Sequence, residues 1–181
     1  MARLPLITDK SQVPAEHHGV VDAITGSRGS LAGPFSVFLH SPEIAGRIAH
    51  LGTLVRFEGS LDFRVRTLAA MVVAREYDAL YVWGAQTGIG RQRDIPESTI
   101  AAIRENHSRG IPAADALIVD ATRQLLRAHR LDDTTRDALL TRFGKDQFIQ
   151  LTSAIGYYGL LAMTVNACEL EPGPGADVLA V

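Results

Sequence analysis

Apolar residues recur at spacings of three and four along most of the chain, and this period restricts the possible folds more than any single motif does. No Asn-Gly or Asp-Gly pair lies between two alternating runs, so the usual signal of a β-hairpin is missing. The pattern predicts an all-α protein. With 181 residues, the chain can bury a core without disulfide or metal support. We expect a single domain over residues 1–181, with loose tails at 1–13 and 171–181.

Clusters of Gly, Pro and Ser divide this periodic sequence into helices. Ser41 followed by Pro42 is typical of a helix start, and the spacing of Asp94 and Glu97 predicts a capping box. Gly144 is expected to end a helix, because glycine is common just beyond a helix C-terminus. The predicted helices are 14–26, 42–57, 61–76, one that holds Tyr81 and ends near Gly90, 96–106, 113–130, one from Asp132 or Asp133 to Phe143, and 146–170.

Composition and charge exclude several functional classes. Hydrophobic residues make up 46% of the chain and charged residues 21%, a balance that is typical of globular proteins and too apolar for disorder. The net charge is −2 and no basic cluster is interleaved with aromatic residues, so we expect no nucleic-acid partner. No apolar run suggests a signal peptide or approaches the roughly 18 residues of a spanning helix. The sequence therefore predicts a cytoplasmic protein without a membrane partner.

The sequence also gives no support to a metal site or a cofactor. Cys168 is the only cysteine, which excludes an intrachain disulfide and a Cys-rich metal site. His17 and His18 are adjacent, whereas two histidines that ligate one ion from a helix are usually four residues apart. The other histidines are scattered. We expect no metal and no cofactor.

The segment 66–90 carries the most informative motif. It contains Arg66-Thr67-Leu68 and, further along, Tyr81-Val82-Trp83-Gly84-Ala85-Gln86. This segment resembles the active-site frame of the carboxymuconolactone decarboxylase and AhpD-like family. In the redox branch of that family the frame reads Arg-Glu-Leu and then Cys-x-x-Cys-x-x-x-His, and in a Cys-less branch it reads Tyr-Glu-Trp-x-x-His. The similarity continues at 33–43, at 155–158 and at 166–167, so it covers most of the chain.

The chain departs from the family pattern at the reactive positions. Thr67 stands where Arg-Glu-Leu carries its acid. Ala79 and Val82 occupy the two Cys positions, Val82 also replaces the Glu of the Cys-less branch, and Gln86 replaces the His. Peroxide reduction of the AhpD type needs an attacking thiolate and a second thiol that resolves the disulfide. We therefore expect no thiol peroxidase activity.

The resemblance implies an AhpD-like helical bundle that assembles as a dimer, trimer or hexamer, with the site near a subunit contact. The closing stretch 146–170 supports this expectation independently, because it is apolar on more than one side. Such a helix is typical of a core or of a subunit interface.

Decarboxylation of a lactone acid needs a cation that holds a carboxylate, a group that stabilises developing negative charge, and a general acid. The candidate cations are Arg66, Arg75 and Arg91. The candidate catalytic proton donors are Glu76, His40 and Tyr81. Because the resemblance places their segments at the site, we expect the substrate to contact Gln86, Trp83 and Thr67 as well.

We expect a protein that acts on a small, acidic organic molecule as a cofactor-free lyase or decarboxylase. The main alternative is a non-catalytic oligomer that binds a ligand or has a structural role. Another alternative is an isomerase or hydrolase that uses Glu76, His40 or Tyr81. Ordinary structural roles also remain open, since the arginines are suited to surface ion pairs and Tyr81 and Trp83 to core packing.

Overall fold

The computed structural model describes residues 2–179, and all of its regular structure in that range is helical. The prediction of an all-α fold is therefore confirmed. Short 3-10 turns at Lys10–Gln12 and Ala15–His17 precede the first α-helix, and a π-helical turn at Leu54–Glu58 follows the third. The α-helices are α1 (His18–Arg28), α2 (Phe35–Phe38), α3 (Pro42–Thr53), α4 (Phe63–Glu76), α5 (Leu80–Gln92), α6 (Glu97–Arg104), α7 (Ala113–Arg127) and α8 (Asp133–Ala167).

The described chain forms two compact units, where the sequence predicts one domain. The first unit contains the residues up to Gly59 together with Thr164–Glu171. The second contains Ser60–Met163 and the segment that begins at Pro172. Helices α4 to α7 all belong to the second unit, so most of the candidate residues lie there.

Helix α4 is the central helix of the second unit. Its residues from Val65 to Ala74 are all buried, and the helix packs against both α5 and α7. Small side chains such as Ala69 and Ala70 let the neighbouring helices approach closely, which explains how one helix can be covered on every side. Asp62 begins the helix by accepting hydrogen bonds from the backbone amides of Arg64 and Val65, at 2.7 and 3.2 Å.

Helix α5 follows α4 after a tight turn in which Asp78 adopts a left-handed backbone conformation, with φ of 46°. Aspartate tolerates this conformation better than most residues do. The buried residues of α5 recur with helical spacing and form one face: Val82, Trp83, Gln86, Thr87 and Gly90. The opposite face of the helix carries Tyr81 and Ala85.

The predicted capping box at Asp94 and Glu97 is wrong. Pro96 is the N-cap residue of α6, and no side chain caps that helix. Asp94 instead helps to end α5, because its φ of 55° turns the chain so that the Ile95 amide donates to the Gly90 carbonyl at 3.0 Å. This hydrogen bond satisfies a carbonyl at the end of α5, as in a Schellman motif.

The break predicted at Gly144 is present, since its backbone has φ of 67° and ψ of 179° between two helical stretches of α8. The start of α8 is capped by Asp132, which accepts a hydrogen bond from the Thr135 amide at 2.7 Å. Within residues 2–179, α8 is the one helix long and apolar enough to cross a membrane by length and composition. Half of its most apolar stretch is buried inside the protein, as expected of a core helix.

Both tails make specific contacts over the residues that the structure describes. At the N-terminal end, the Ile7 amide donates to the Ser36 carbonyl at 2.8 Å, and the side chains of Ile7 and Val13 are buried. At the C-terminal end, Leu179 is only 2% exposed and Asp177 pairs with two arginines. Both segments are anchored because they carry isolated apolar residues that bury well.

Candidate functional site

A groove lies along the first two turns of α5. On the helix it is lined by Tyr81, Gly84 and Ala85, which share one face because they are three and four residues apart. The segment Pro172–Ala176 lines the other side. The cavity volume is about 300 Å³, which is enough for a small organic molecule.

Gly84 explains how the segment can lie so close to α5. A Cβ atom at this position would stand 2.7 Å from the Cβ of Ala176, which is too close for any real side chain. Glycine in a helix interior costs stability relative to alanine, so its presence here indicates a requirement for close approach. The glycine therefore belongs to the construction of the groove.

Tyr81 is the one proton donor that lines the groove among the described residues. Its half-buried position raises the pKa of the phenol above its ordinary value. The group thus stays protonated at neutral pH and can donate a hydrogen bond or a proton.

Two arginines hold the carboxylate of Asp177, and Arg91 lies on the same helix as Tyr81, roughly 15 Å of helix from it. Arg91 donates through Nη1 and Nη2 to the two oxygens of Asp177, at 3.0 and 2.7 Å, and Arg104 donates to Oδ2 of the same carboxylate at 3.0 Å. Arg91 also pairs with Glu97. These contacts, led by the hydrogen bond from Arg91, lower the pKa of Asp177. Asp177 directly follows Ala176, which lines the groove.

The other face of α5 is buried and carries the positions where the resembled family has its reactive groups. Ala79 and Val82 are buried hydrocarbon side chains, so no thiol or acid stands there. Gln86 is 6% exposed. The indole Nε1 of Trp83 is buried and has no partner in the described part of the chain, while the Arg104 guanidinium lies 5.7 Å from the ring. Unpaired buried donors of this kind are uncommon.

Arg66 and Thr67 lie toward the other end of α5. The guanidinium of Arg66 stacks on the Phe63 ring at 4.1 Å, and Arg93, just beyond α5, stacks on the same ring at 4.2 Å. Thr67 is buried and donates to the Phe63 carbonyl at 2.8 Å. Tyr81 is in the first turn of α5, roughly 18 Å of helix away from Arg93. The structure does not bring these two candidates to the Tyr81 groove.

Glu76 and Arg75, at the end of α4, are engaged in ion pairs. Glu76 accepts two hydrogen bonds from Arg127, one of them from Nε at 2.7 Å, and lies 3.8 Å from Nε of Arg123. Arg75 pairs with Asp78 and donates to the carbonyl of Arg104 at 2.8 Å. These contacts are sufficient to explain both side chains as structural residues.

His40 belongs to the first unit, unlike the other candidates. Its Nε2 lies 2.8 Å from the carbonyl oxygen of Pro5, so the ring helps to hold the N-terminal segment. Within residues 2–179, no three His, Cys, Asp or Glu side chains are grouped so that they could hold a metal ion.

Of the residues considered from the sequence, the structure thus groups only Tyr81 and Arg91 with the C-terminal segment. The sequence analysis missed Arg104 and Asp177, which complete the arginine–carboxylate cluster. Asp177 is not among the predicted site residues, because Pro and Gly in 172–175 predict a tail without regular structure. The available signal was Gly84, since an isolated glycine inside a helix often marks a close approach of another segment.

No protein-family model matches the sequence, and no curated protein matches it either. Solved structures do match the fold. A peroxidase-related protein with an alkylhydroperoxidase AhpD core, from Ralstonia eutropha JMP134, has a TM-score of 0.77 and 16% identity and matches over 96% of this chain and 93% of its own. A peroxidase-related protein from Silicibacter sp. TM1040 has a TM-score of 0.75 and 14% identity, over 97% and 93%.

A third similar structure is that of a debrominase that carries a cysteine-to-alanine replacement and is in complex with 2,3,4-tribromopyrrole. Its TM-score is 0.73 at 16% identity, over 96% of this chain and 95% of that chain. At such identities the similarity establishes the architecture alone. The chain therefore has the AhpD-like fold.

Proposed function

We propose that this protein acts on a small, acidic organic molecule in the groove beside Tyr81, as a cofactor-free lyase that does not use a thiol. The observation that carries the proposal is the cluster of Arg91 and Arg104 around the carboxylate of Asp177, at the end of the segment that lines a groove with a protonated phenol. The cluster provides recognition of an acid, and the phenol provides a proton.

The arginine pair has the geometry that suits a carboxylate ligand. Arg91 meets Asp177 through two parallel hydrogen bonds, and arginine favours carboxylates because its planar fork matches their two oxygens. The carboxylate that binds here should remain on the substrate. Pairing a departing carboxylate with two cations would stabilise the ground state and would not lower the barrier.

Tyr81 would deliver the proton that such a reaction needs. When a second carboxylate leaves as carbon dioxide, the electron pair of the broken C–C bond stays on the organic fragment. The phenol then transfers its proton to that carbon, and the phenolate regains a proton from water. The sequence of steps is redox-neutral, and a carbonyl group of the substrate can accept the developing charge.

Thiol chemistry is not part of the proposal. Ala79 and Val82 are hydrocarbon side chains, and Cys168 lies in the first unit, at the end of α8. The peroxidase-related proteins and the debrominase lend support only to a small molecule as the ligand, since the name of the last one includes a substituted pyrrole.

A second candidate function is ligand binding without catalysis. The hydrocarbon side chains of Ala79 and Val82 favour it, because no acid or thiol stands at the positions where the resembled family has its reactive groups. The two candidates share the acidic ligand and differ only in turnover.

We also propose that the protein is a homo-oligomer. Ile149, Leu160 and Met163 are exposed apolar residues of α8, and they lie along the helix at intervals that keep them on one side. Light scattering should give a mass above the 19.5 kDa of one chain. A monomer over the accessible concentration range would contradict this part of the proposal.

A thermal-shift screen with small mono- and dicarboxylic acids tests the function. Each acid is paired with its neutral amide, and we expect only acids to raise the melting temperature. Bound acids are then assayed for product formation. Tyr81→Phe should lower kcat by about 100-fold or more. Tyr157→Phe is the control, since its buried hydroxyl has no partner in the described chain.

The outcomes separate the candidates. Equal stabilisation by acids and amides would contradict recognition of a carboxylate. Acid binding without any turnover would favour the non-catalytic candidate. Turnover that survives in Tyr81→Phe would remove Tyr81 as the proton donor.

A further inference from the structure

We propose that residues 172–179 are a closing strap, and that Asp177 occupies the Arg91–Arg104 site as an internal carboxylate which an acidic ligand displaces. The identity of that ligand rests on the proposed function, whereas the existence of a releasable strap does not depend on it. The proposal makes Asp177 a competitive, built-in inhibitor of the arginine pair.

The polar evidence is the way in which Asp177 is held. Its carboxylate receives three hydrogen bonds of 2.7 to 3.0 Å from two guanidinium groups that belong to α5 and α6. Glu97 is the other acidic group that faces Arg91, through a separate ion pair. Nε of Arg104 is buried without a partner in the described chain. The arginine pair can therefore donate hydrogen bonds to more acceptors than Asp177 provides.

The apolar evidence lies on both sides of Asp177. Leu179 is 2% exposed, and Ala176 lies against the backbone of Gly84 in a space that any side chain at Gly84 would fill. The segment thus has one buried anchor at Leu179, one close contact at Ala176 and one charged anchor at Asp177. Its residues 172–176 face the turns of α5 that line the other side of the groove.

The backbone of the strap, in contrast, is almost free of hydrogen bonds. Within the described chain, its one backbone–backbone hydrogen bond is local and joins the Ala176 amide to the Gly173 carbonyl at 3.2 Å. Release of the strap would therefore break side-chain contacts without dismantling a helix. Segments with few backbone hydrogen bonds open at lower free energy than the core does.

The segment also has the composition of a hinge. Pro172, Gly173, Pro174 and Gly175 precede the anchored residues, and Gly175 has φ of 75°, a conformation that favours glycine. Proline limits the conformations of the open strap, and glycine allows the chain to turn at this point. Motion about these residues would expose the groove and both arginines together.

Backbone amide order parameters of residues 176–179, measured by NMR relaxation without any ligand, test the strap. Gly84→Ala places a methyl group where Ala176 lies, and Asp177→Asn removes the charge. We expect each change to lower these order parameters from roughly 0.85, the value of a rigid backbone, to below about 0.6. Gly88→Ala is the matched control in the same helix, because a Cβ there meets nothing within 4 Å. Glu97→Gln is the control for a lost partner of Arg91 outside the strap.

The strap is refuted when Gly84→Ala and Asp177→Asn keep the wild-type order parameters, or when both controls lower them equally. Because this measurement needs neither ligand nor turnover, its failure is distinct from a failure of the proposed function.

Displacement is tested with malonate as the probe and with malonamide at matched ionic strength as the neutral control. Saturating malonate should lower the order parameters of residues 176–179 to below about 0.6 in the wild type, because it competes with Asp177 for the arginines. It should cause no further decrease in Asp177→Asn, in which the site is already vacated. No effect of malonate on the wild type, or an equal effect of malonamide, would overturn the assignment of Asp177 as an internal ligand.

Discussion

Asp115 and Asp177 are both aspartates that an arginine holds through two hydrogen bonds, yet they belong to very different regions. Asp115 lies on α7, its side chain is 3% exposed, and it joins α7 to Arg64 of α4. Asp177 lies on a segment without regular structure and is 22% exposed. The same pair of chemical groups thus connects two helices in one region and fastens a removable segment in the other.

The difference shows that geometry alone does not indicate the role of an ion pair. Removal of a partner from a buried pair leaves a charge in a poorly solvated place, whereas water can take over at a partly exposed pair. The α4–α7 pair should therefore contribute mainly to folding. The pair at Asp177 can be exchanged for another carboxylate at little cost to the rest of the protein.

The largest effect is expected for Asp115→Asn. Loss of the buried carboxylate should lower the free energy of unfolding by about 3 kcal/mol, since Arg64 keeps only part of its contact with water. Urea denaturation followed by circular dichroism measures the change. Asp22→Asn is the control, because it removes an exposed partner of Lys10 and should change stability by less than about 1 kcal/mol. Equal losses in both variants would contradict the distinction.

Glu76→Gln should have the next largest effect, about 2 kcal/mol. The carboxylate of Glu76 is 11% exposed and pairs with Arg127, and its loss leaves the nearby guanidinium of Arg123 with less compensation. Burial already lowers the pKa of Arg123, which indicates how poorly that charge is solvated. Urea denaturation again gives the measurement. A variant of wild-type stability that loses turnover would show that Glu76 is catalytic and not structural.

Asp177→Asn should cost at most about 1 kcal/mol, because the pair is partly exposed. The folded pKa of Asp177 is lowered, first by the hydrogen bond from Arg91 and also by the charge of Arg104. Its contribution is therefore complete above the ordinary pKa of 3.8 and is lost as pH falls through the lower folded value. The order parameters of residues 176–179 should fall only below about pH 4 in the wild type. In Asp177→Asn the pH-dependent decrease attributable to this group should be absent.

Cys168→Ser should have no effect on peroxide consumption in the presence of a dithiol. The single thiol of the chain has no resolving partner, and a lone cysteine can be oxidised once but cannot turn over by disulfide formation. The assay measures hydroperoxide loss for the wild type and the variant. Sustained turnover that depends on Cys168 would contradict a thiol-independent function. It would also place the reactive group in the first unit instead of the second.

Local patterns were sufficient to predict most helices and the break at Gly144. They failed at Asp94, where a residue with capping spacing is used to end α5, because two neighbouring helices compete for the same short connection. They also failed at the C-terminal tail. Pro and Gly in 172–175 correctly predict the absence of a helix there, but such residues do not reveal whether a non-helical segment is packed.

The sequence by itself determined the helical class and the lack of thiols at Ala79 and Val82, because each follows from residue identity and local spacing. Only the tertiary structure decided which arginines meet a carboxylate. Asp177 is 86 residues from Arg91 and 73 from Arg104, and charge alone does not select among several possible partners at such separations. The selection comes from packing, since Gly84 lets the strap approach α5 and Leu179 holds it there, which leaves Asp177 within reach of both guanidinium groups.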